Sequence, residues 1–418
     1  MKRRSFFVAV ICCAAVHASA TPRDDHARFQ TLMKAGADAL TKKDLAAAKK
    51  DYSEAARLAP QHPTAIYRLA LTNASAGNMK DATTLLHRIA AMGLQVPASF
   101  DTSFAGLKNR EAIKAEIARN TAAHCDCAKV FDGPSLPFIA EGIAFDPLGN
   151  LFLVSSIYQR RIVTIAGERM HDFTAALPDG LSPFTLDPRR DRIWVSAASL
   201  AQSHGARAAQ RGHSALLAFD LRYGALVARI PAPSNTSLGD TALAPDGTVY
   251  ASDSKNGGFY RLKPGSTKLE AVTKDLSSPQ GIAISGDGRT ALVADYALGL
   301  MRLDLSIGKL ASVAVPDTVT TLGIDGLAAL ADGTFAATQN GIAPARIVRF
   351  HLSPDWSRVT QFDVIARHAP LIADPSLLTV AGKNIYAVGV SQWASFDEYK
   401  VDPVRSVPPF KIVRIDSR

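Results

Sequence analysis

Gln280-Gly281-Ile282-Ala283-Ile284-Ser285-Gly286-Asp287-Gly288-Arg289-Thr290-Ala291-Leu292-Val293-Ala294-Asp295 is the stretch on which the fold turns. It holds two short apolar runs, and the Asp287-Gly288 pair between them is the residue type that reverses a chain in a tight hairpin. The same order of small apolar residues, acidic or Gly turn and β-branched or aromatic run recurs along the chain. The copies start at Glu141-Gly142-Ile143-Ala144-Phe145-Asp146, at Ser182, at Gly239-Asp240, at Gln280, at Asp325-Gly326-Leu327-Ala328 and at Asp374. Six copies at about 40–57 residues each are the size of a four-stranded blade, so the pattern predicts a six-bladed β-propeller over residues 125–418. A third run often closes a copy, as in Tyr260-Arg261-Leu262 and Met301-Arg302-Leu303-Asp304. The ring closes best when both chain ends share a blade. Phe410 to Ile415 reads as a C-terminal strand, and Ala128 to Phe131 can supply its neighbour.

Upstream the periodicity is helical and repeats every 34 residues. Leu32, Gly36, Ala48, Tyr52, Ala55 and Pro60 mark one unit, and Ile66, Ala70, Ala82, Leu86 and Ile89 the next. Small residues at 36, 48, 70 and 82 let paired helices approach, with Tyr52 and Leu86 filling the space between them. This pattern resembles the tetratricopeptide family over residues 26–122, with 109–120 as a capping helix and Phe100 and Phe104 plugging the stack. The expected class is α+β multidomain: a short helical tetratricopeptide-like segment before an all-β propeller. Such repeats imply a protein or peptide partner, or a spacer or lid packed on the propeller.

Residues 1–20 read as a secretory signal, with Lys2, Arg3 and Arg4, an apolar run from Phe6 to Val16, and Ala18-Ser19-Ala20 as the cleavage site. The expected address is therefore periplasmic or secreted. No later run is long and apolar enough to span a bilayer. The formal net charge is +9 and falls by three if the leader is removed. In an exported protein that excess attracts acidic ligands or surface polymers, and no basic-aromatic platform for nucleic acid is present. Cys125 and Cys127, in His124-Cys125-Asp126-Cys127, are read as a disulfide, with a metal clip or a redox pair as alternatives. There is no G-x-S-x-G elbow, phosphate-cradling loop or H-E-x-x-H pair.

The blades resemble the gluconolactonase and senescence-marker-protein family, and, as sister propellers, those of the NHL type. The first resemblance implies one divalent cation at the channel mouth, calcium foremost and zinc, manganese or magnesium as alternatives. It also implies Glu, Asn and Asp ligands from the starts of inner strands. Carried over by position, the metal ligands become Glu141, Gln280 and Asp325, and Asp325 and Asp240 become the catalytic pair. The sequence departs from the family at Gln280, where an amide is lengthened, and at Gly239-Asp240, where the expected Asn is gone.

Strand alternation places the loop after each second strand on the same face as Glu141 and Asp325. Two such loops are long: 199–214, with His204, Arg207, Arg211 and His213, and 392–409, with Trp393, Phe396 and Tyr399. Arg207, Arg211 and Trp393 are the expected contacts for a small anionic or sugar-like ligand. Two functions stay open. One is an exported propeller that binds a ligand or partner through its mouth and its helical repeats. The other is a metal-dependent hydrolase of lactones or related esters.

Overall fold

The structure, a computed structural model, describes residues 21–205, 212–396 and 407–416. The expected leader at 1–20, Arg207, Arg211 and Tyr399 lie outside the described residues.

Six helices come first: α1 (Pro22–Thr41), α2 (Leu45–Leu58), α3 (Pro63–Ser75), α4 (Met79–Ala91), α5 (Phe100–Ser103) and α6 (Arg110–Thr121). Local chemistry sets their starts. Thr21 and Asp24 form a reciprocal capping box on α1, Asp44 caps α2, and Pro63 begins α3 with a ring that needs no hydrogen-bond partner. Ala48, Tyr52, Ala70, Ala82 and Leu86 are all fully buried between paired helices. At Gly36 a Cβ would lie 2.9 Å from the Tyr52 ring, so only glycine allows that approach. Phe100 and Phe104 close the end of this core together with Ile113 and Ile117 of α6.

Among the described residues the strands form six sheets arranged as blades. The inner strands are Ala140–Asp146, Gly180–Asp187, Leu238–Leu243, Pro279–Ile284, Ile324–Ala329 and Leu378–Ala381. The expected six-bladed propeller behind a helical segment is therefore what the chain forms. Blade six is closed by both ends of the domain. Cys127–Asp132 pairs with Lys411–Ile415, which pairs with Asn384–Val390. Phe138 stacks on Phe410 with ring centroids 4.5 Å apart, both fully buried. Burying such a ring stabilises by about 2–3 kcal/mol, and here it joins the first and last segments of the ring.

The two cysteines straddle this closure. His124–Cys125 pairs with the outer strand of blade five, while Cys127 opens the strand that completes blade six. A disulfide joins Cys125 to Cys127, so it lies where the chain crosses from one blade to the next.

The inner strands begin at one face, here called the mouth. The loops after second strands and the blade-to-blade connections return to that face. The helical segment docks there, over blades three to five. Arg23 donates to the carbonyls of Asn256 and Lys274, Gln61 donates to Leu298 O, Arg88 donates to Asp317, and Arg367 donates to Ala122 O. The helices thus share a face with the expected site, a placement that no local pattern in the sequence announces.

Candidate functional site

One backbone device aims the mouth side chains. In five blades the pairing of inner and second strands slips near the start of the inner strand. The slips fall between Ala140 and Ile143, Leu181 and Phe184, Leu238 and Thr241, Pro279 and Ile282, and Ile324 and Leu327. A bulge of this kind redirects side chains away from the regular alternation. Its first unpaired residue is Glu141, Ser182, Gly239, Gln280 or Asp325 in turn. In blades one and five the second is a glycine whose N–H is tied to the neighbouring strand. Gly142 N donates to Ser155 Oγ and Gly326 N to Thr338 Oγ1, both at 2.8 Å.

This register separates Asp240 from the other candidates. Asp240 occupies the second bulge position, one step beyond Glu141, Gln280 and Asp325. Its two oxygens accept from Thr241 N (2.8 Å) and Ile282 N (3.2 Å), so its carboxylate bridges to the next inner strand. The first position in that blade is Gly239. A Cβ there would lie 3.0 Å from Ser252 Oγ and 3.6 Å from Gln280 Oε1, so a side chain at 239 would crowd the serine that ties this bulge and stand beside the Gln280 amide.

Glu141 and Asp325 each have one oxygen engaged. Trp393 Nε1 donates to Glu141 Oε2 at 2.5 Å, and Asn340 Nδ2 donates to Asp325 Oδ2 at 2.7 Å. Among the described residues nothing donates to Glu141 Oε1 or Asp325 Oδ1. A further carboxylate reaches the same space from blade six: Asp374, whose Oδ2 accepts from Ser391 Oγ and Ala394 N. No lysine, arginine or histidine among the described residues pairs with any of these four acids.

Enclosure by the blades dominates the titration of Glu141, Asp240 and Asp325. It pushes the Glu141 carboxyl up to about 8, helped by the charge of Asp325 and only partly opposed by the Trp393 indole. Burial raises Asp240 to about 7 against its two backbone amides, and Asp325 to about 6 against the Asn340 bond. At neutral pH burial leaves Glu141 largely protonated, with no basic side chain among the described residues beside it.

Both long loops reach the mouth. The blade-two loop brings His204 to Tyr158, with the ring nitrogen Nδ1 3.2 Å from the hydroxyl. The blade-six loop brings Trp393 and Phe396 against the same tyrosine, and Leu200 joins them. Gln392 pins that loop. Its buried amide accepts from Phe138 N and Ile139 N and donates to Leu136 O and Pro408 O. Its φ of 77° is a left-handed conformation that these four bonds hold. We expect Gln392→Ala to lower stability by about 2 kcal/mol through unpaired buried backbone groups, seen as a drop in melting temperature.

Sequence reasoning missed Asp374, Asn340 and Tyr296, whose hydroxyl donates to Asn340 Oδ1 at 3.1 Å. Asp374 stood in the open as the start of the sixth copy. The other two lie on loops that no blade pattern marks. His213 and Lys255 line a separate cavity of about 410 Å³ between blades two and three.

A family described as the SMP-30/gluconolactonase/LRE-like region matches residues 139–362, more than half of the sequence. The chain belongs to this family. Several solved structures are similar in fold to this member. A calcium-binding protein, regucalcin, from Agrobacterium tumefaciens is 19% identical, with 70% of this chain and 97% of that one covered and a TM-score of 0.48. A gluconolactonase from Xanthomonas campestris is 15% identical, with 71% and 92% covered and a TM-score of 0.47. Virginiamycin B lyase from Staphylococcus aureus is 13% identical, with 64% and 83% covered and a TM-score of 0.46. None of these likenesses brings a residue's role to this chain. Comparison with curated proteins gives no match.

Proposed function

We propose that the propeller mouth is a divalent-cation site, calcium foremost, through which the chain binds a small oxygen-rich ligand of sugar or lactone type. The observation that carries this reading is the set of enclosed acids, Glu141, Asp240, Asp325 and Asp374, which among the described residues has no basic partner. Carboxylates gathered in a low-dielectric space stay charged only if a cation joins them.

The donor chemistry fits such an ion in part. Glu141 Oε1, Asp325 Oδ1 and the Gln280 amide oxygen are hard donors of the kind calcium takes, with water completing the shell. No three Asp, Glu, His or Cys side chains among the described residues are grouped to hold a metal as they stand. Trp393 holds one oxygen of Glu141 and Asn340 holds one oxygen of Asp325. A bound cation supplies Lewis acidity toward a carbonyl oxygen or a water. The chain's own residues do the rest. The Gln280 amide would hold the ligand's oxygens, the Trp393 indole would offer an apolar wall to a sugar ring, and Glu141 and Asp325 would hold the ion.

A second reading, hydrolysis of a lactone or related ester, is favoured by the free oxygens of Glu141 and Asp325 and by the family. Against it, Asp240 has both oxygens engaged by backbone amides, leaving fewer groups to move a proton.

Thermal melts of chelated protein, titrated with calcium, zinc, manganese and magnesium, test both readings. An ion at a hundredfold excess over its Kd adds about 2.7 kcal/mol, or about 4 °C for a domain of this size. Because the ion displaces protons held up to about 8, the shift is larger at pH 8 than at pH 6. No shift with any ion at either pH ends the cation reading. A shift without turnover in a lactone and ester screen ends the second reading alone.

A further inference from the structure

We propose that Asn340 is a positioning residue for Asp325 and that the helical segment sets its position, so that the helices are a working part of the mouth. The consequence for cation binding rests on the preceding reading, whereas the clamp itself does not.

The argument starts with the Asn340 amide. Its nitrogen donates to Asp325 Oδ2 at 2.7 Å and to Pro375 O at 3.0 Å, and its oxygen accepts from the Tyr296 hydroxyl at 3.1 Å. A flipped amide would set oxygen against a carboxylate and a carbonyl, so these three partners fix one orientation. Asp325 Oδ2 is thereby pinned and Oδ1 is left toward the mouth.

The next residues carry that order to the helices. Gly341 lies so close to Tyr296 that a Cβ would come within 2.5 Å of the ring, and its N–H donates to Gly323 O. Ile342 packs on the helical core beside Tyr67, Leu71 and Val96. Ala343 O then accepts from Gln95 N at 2.8 Å. The concave side of the helices, a cavity of about 450 Å³, is thus bordered by the propeller's own loop at Gly341, Ile342 and Ala343.

A second clamp acts on the other side of Asp325. Gln61, in the turn between α2 and α3, accepts from both Thr321 N (2.7 Å) and Thr321 Oγ1 (2.9 Å). Thr321 lies in the connection that leads into the inner strand carrying Asp325. Of the mouth carboxylates, Asp325 is the one gripped by helical residues before and after its strand. Glu141 and Asp374 are instead steered by the blade-six loop.

The test uses the full mature chain and two readouts. The first is amide hydrogen exchange across 321–329 in chelated protein. Gln61→Ala and Ile342→Ser, neither of which contacts a mouth carboxylate, are expected to speed exchange there several-fold. The second is calcium affinity by calorimetry, with Asn340→Ala as reference. We expect each helix-side variant to weaken calcium about tenfold. The effect of Ile342→Ser should vanish in an Asn340→Ala background, since both act through one contact. Tyr296→Phe, which removes only the hydroxyl that orients the amide, should weaken binding in the same direction without lowering the melting temperature. Unchanged exchange in both helix-side variants overturns the clamp, as does additivity with Asn340→Ala. If the parent protein binds no calcium, the cation reading fails, and exchange across 321–329 still decides on the clamp.

Discussion

Glu141→Gln combined with Asp325→Asn is expected to abolish the calcium-dependent rise in melting temperature and, in chelated protein at pH 9, to raise the melting temperature above that of the parent. The sign follows from the titration. Both acids have folded values above their ordinary ones, about 8 against 4.5 for Glu141 and about 6 against 3.8 for Asp325. The folded state therefore keeps protons that the unfolded chain has released. Stability from this source is complete below the unfolded values and is lost as pH climbs through about 6 and then about 8. Neutral amides of the same shape remove that loss. The Gln oxygen still accepts from Trp393 and the Asn oxygen from Asn340, so the hydrogen bonds survive. The gain at pH 9 is on the order of a few kcal/mol. Asp240, raised to about 7, keeps a smaller slope in the variant. Calorimetric scans at pH 5, 7 and 9 with chelator decide the matter. A double variant that melts below the parent at pH 9 would mean that the carboxylates are net stabilising, and the unpaired cluster would lose its meaning.

The reach of the sequence can be judged residue by residue. Blades were legible because each repeats a local rule, an apolar run reversed at an Asp-Gly turn, and because Phe410 to Ile415 had no partner except near the domain's start. Trp393 could be assigned to the mouth because alternation of strand direction is also a local rule. Asp240 shows where such reasoning ends. The family resemblance makes it one of two catalytic acids, with Asp325 the other. The bulge makes it the second unpaired residue of its strand, and its carboxylate accepts from the backbone of Ile282, a contact that no count of residues gives. Bulges depend on how two strands pair, which single-strand periodicity does not encode. Asn340 was harder still. Its role comes from contacts with Asp325, Tyr296 and Pro375, which three different segments supply. The docking of the helices on the mouth rests on scattered polar residues such as Arg23, Gln61 and Arg88. On a helix surface these look like any solvated side chain. The recurring acids at the ends of second strands mislead in the other direction. Asp295 accepts from four backbone amides and holds a blade loop in shape, so its recurrence is architectural.

Arg346→Ala is expected to cost about 3–5 kcal/mol and to split one melting transition into two, with the helical segment released first. Arg346 is 1% exposed, and no carboxylate among the described residues faces it. Its Nε donates to Gln339 Oε1 at 2.7 Å and its Nη1 to Met92 O, also at 2.7 Å. Met92 caps the C-terminus of α4, where carbonyls lack partners within the helix and a cation is favoured. Gln339 in turn donates to Thr320 O and Leu322 O, so the guanidinium links α4 to the connection that enters the Asp325 strand. The Phe362 ring lies 5.6 Å beneath the charge. Burial, then the charge of Arg367, lowers the guanidinium to about 9. Truncation to alanine leaves the Gln339 and Met92 oxygens buried and unpaired, at about 1–3 kcal/mol each, and opens a cavity. Arg346→Met separates the terms, because it fills the volume and removes the desolvated charge while losing the same two bonds. If the bonds to Met92 and Gln339 hold the helical segment down, both variants show the early transition, and methionine shows it at the higher temperature. A single transition within about 1 °C of the parent in both would mean that Arg346 is a bystander and that apolar packing around Ile342 alone holds the two parts together.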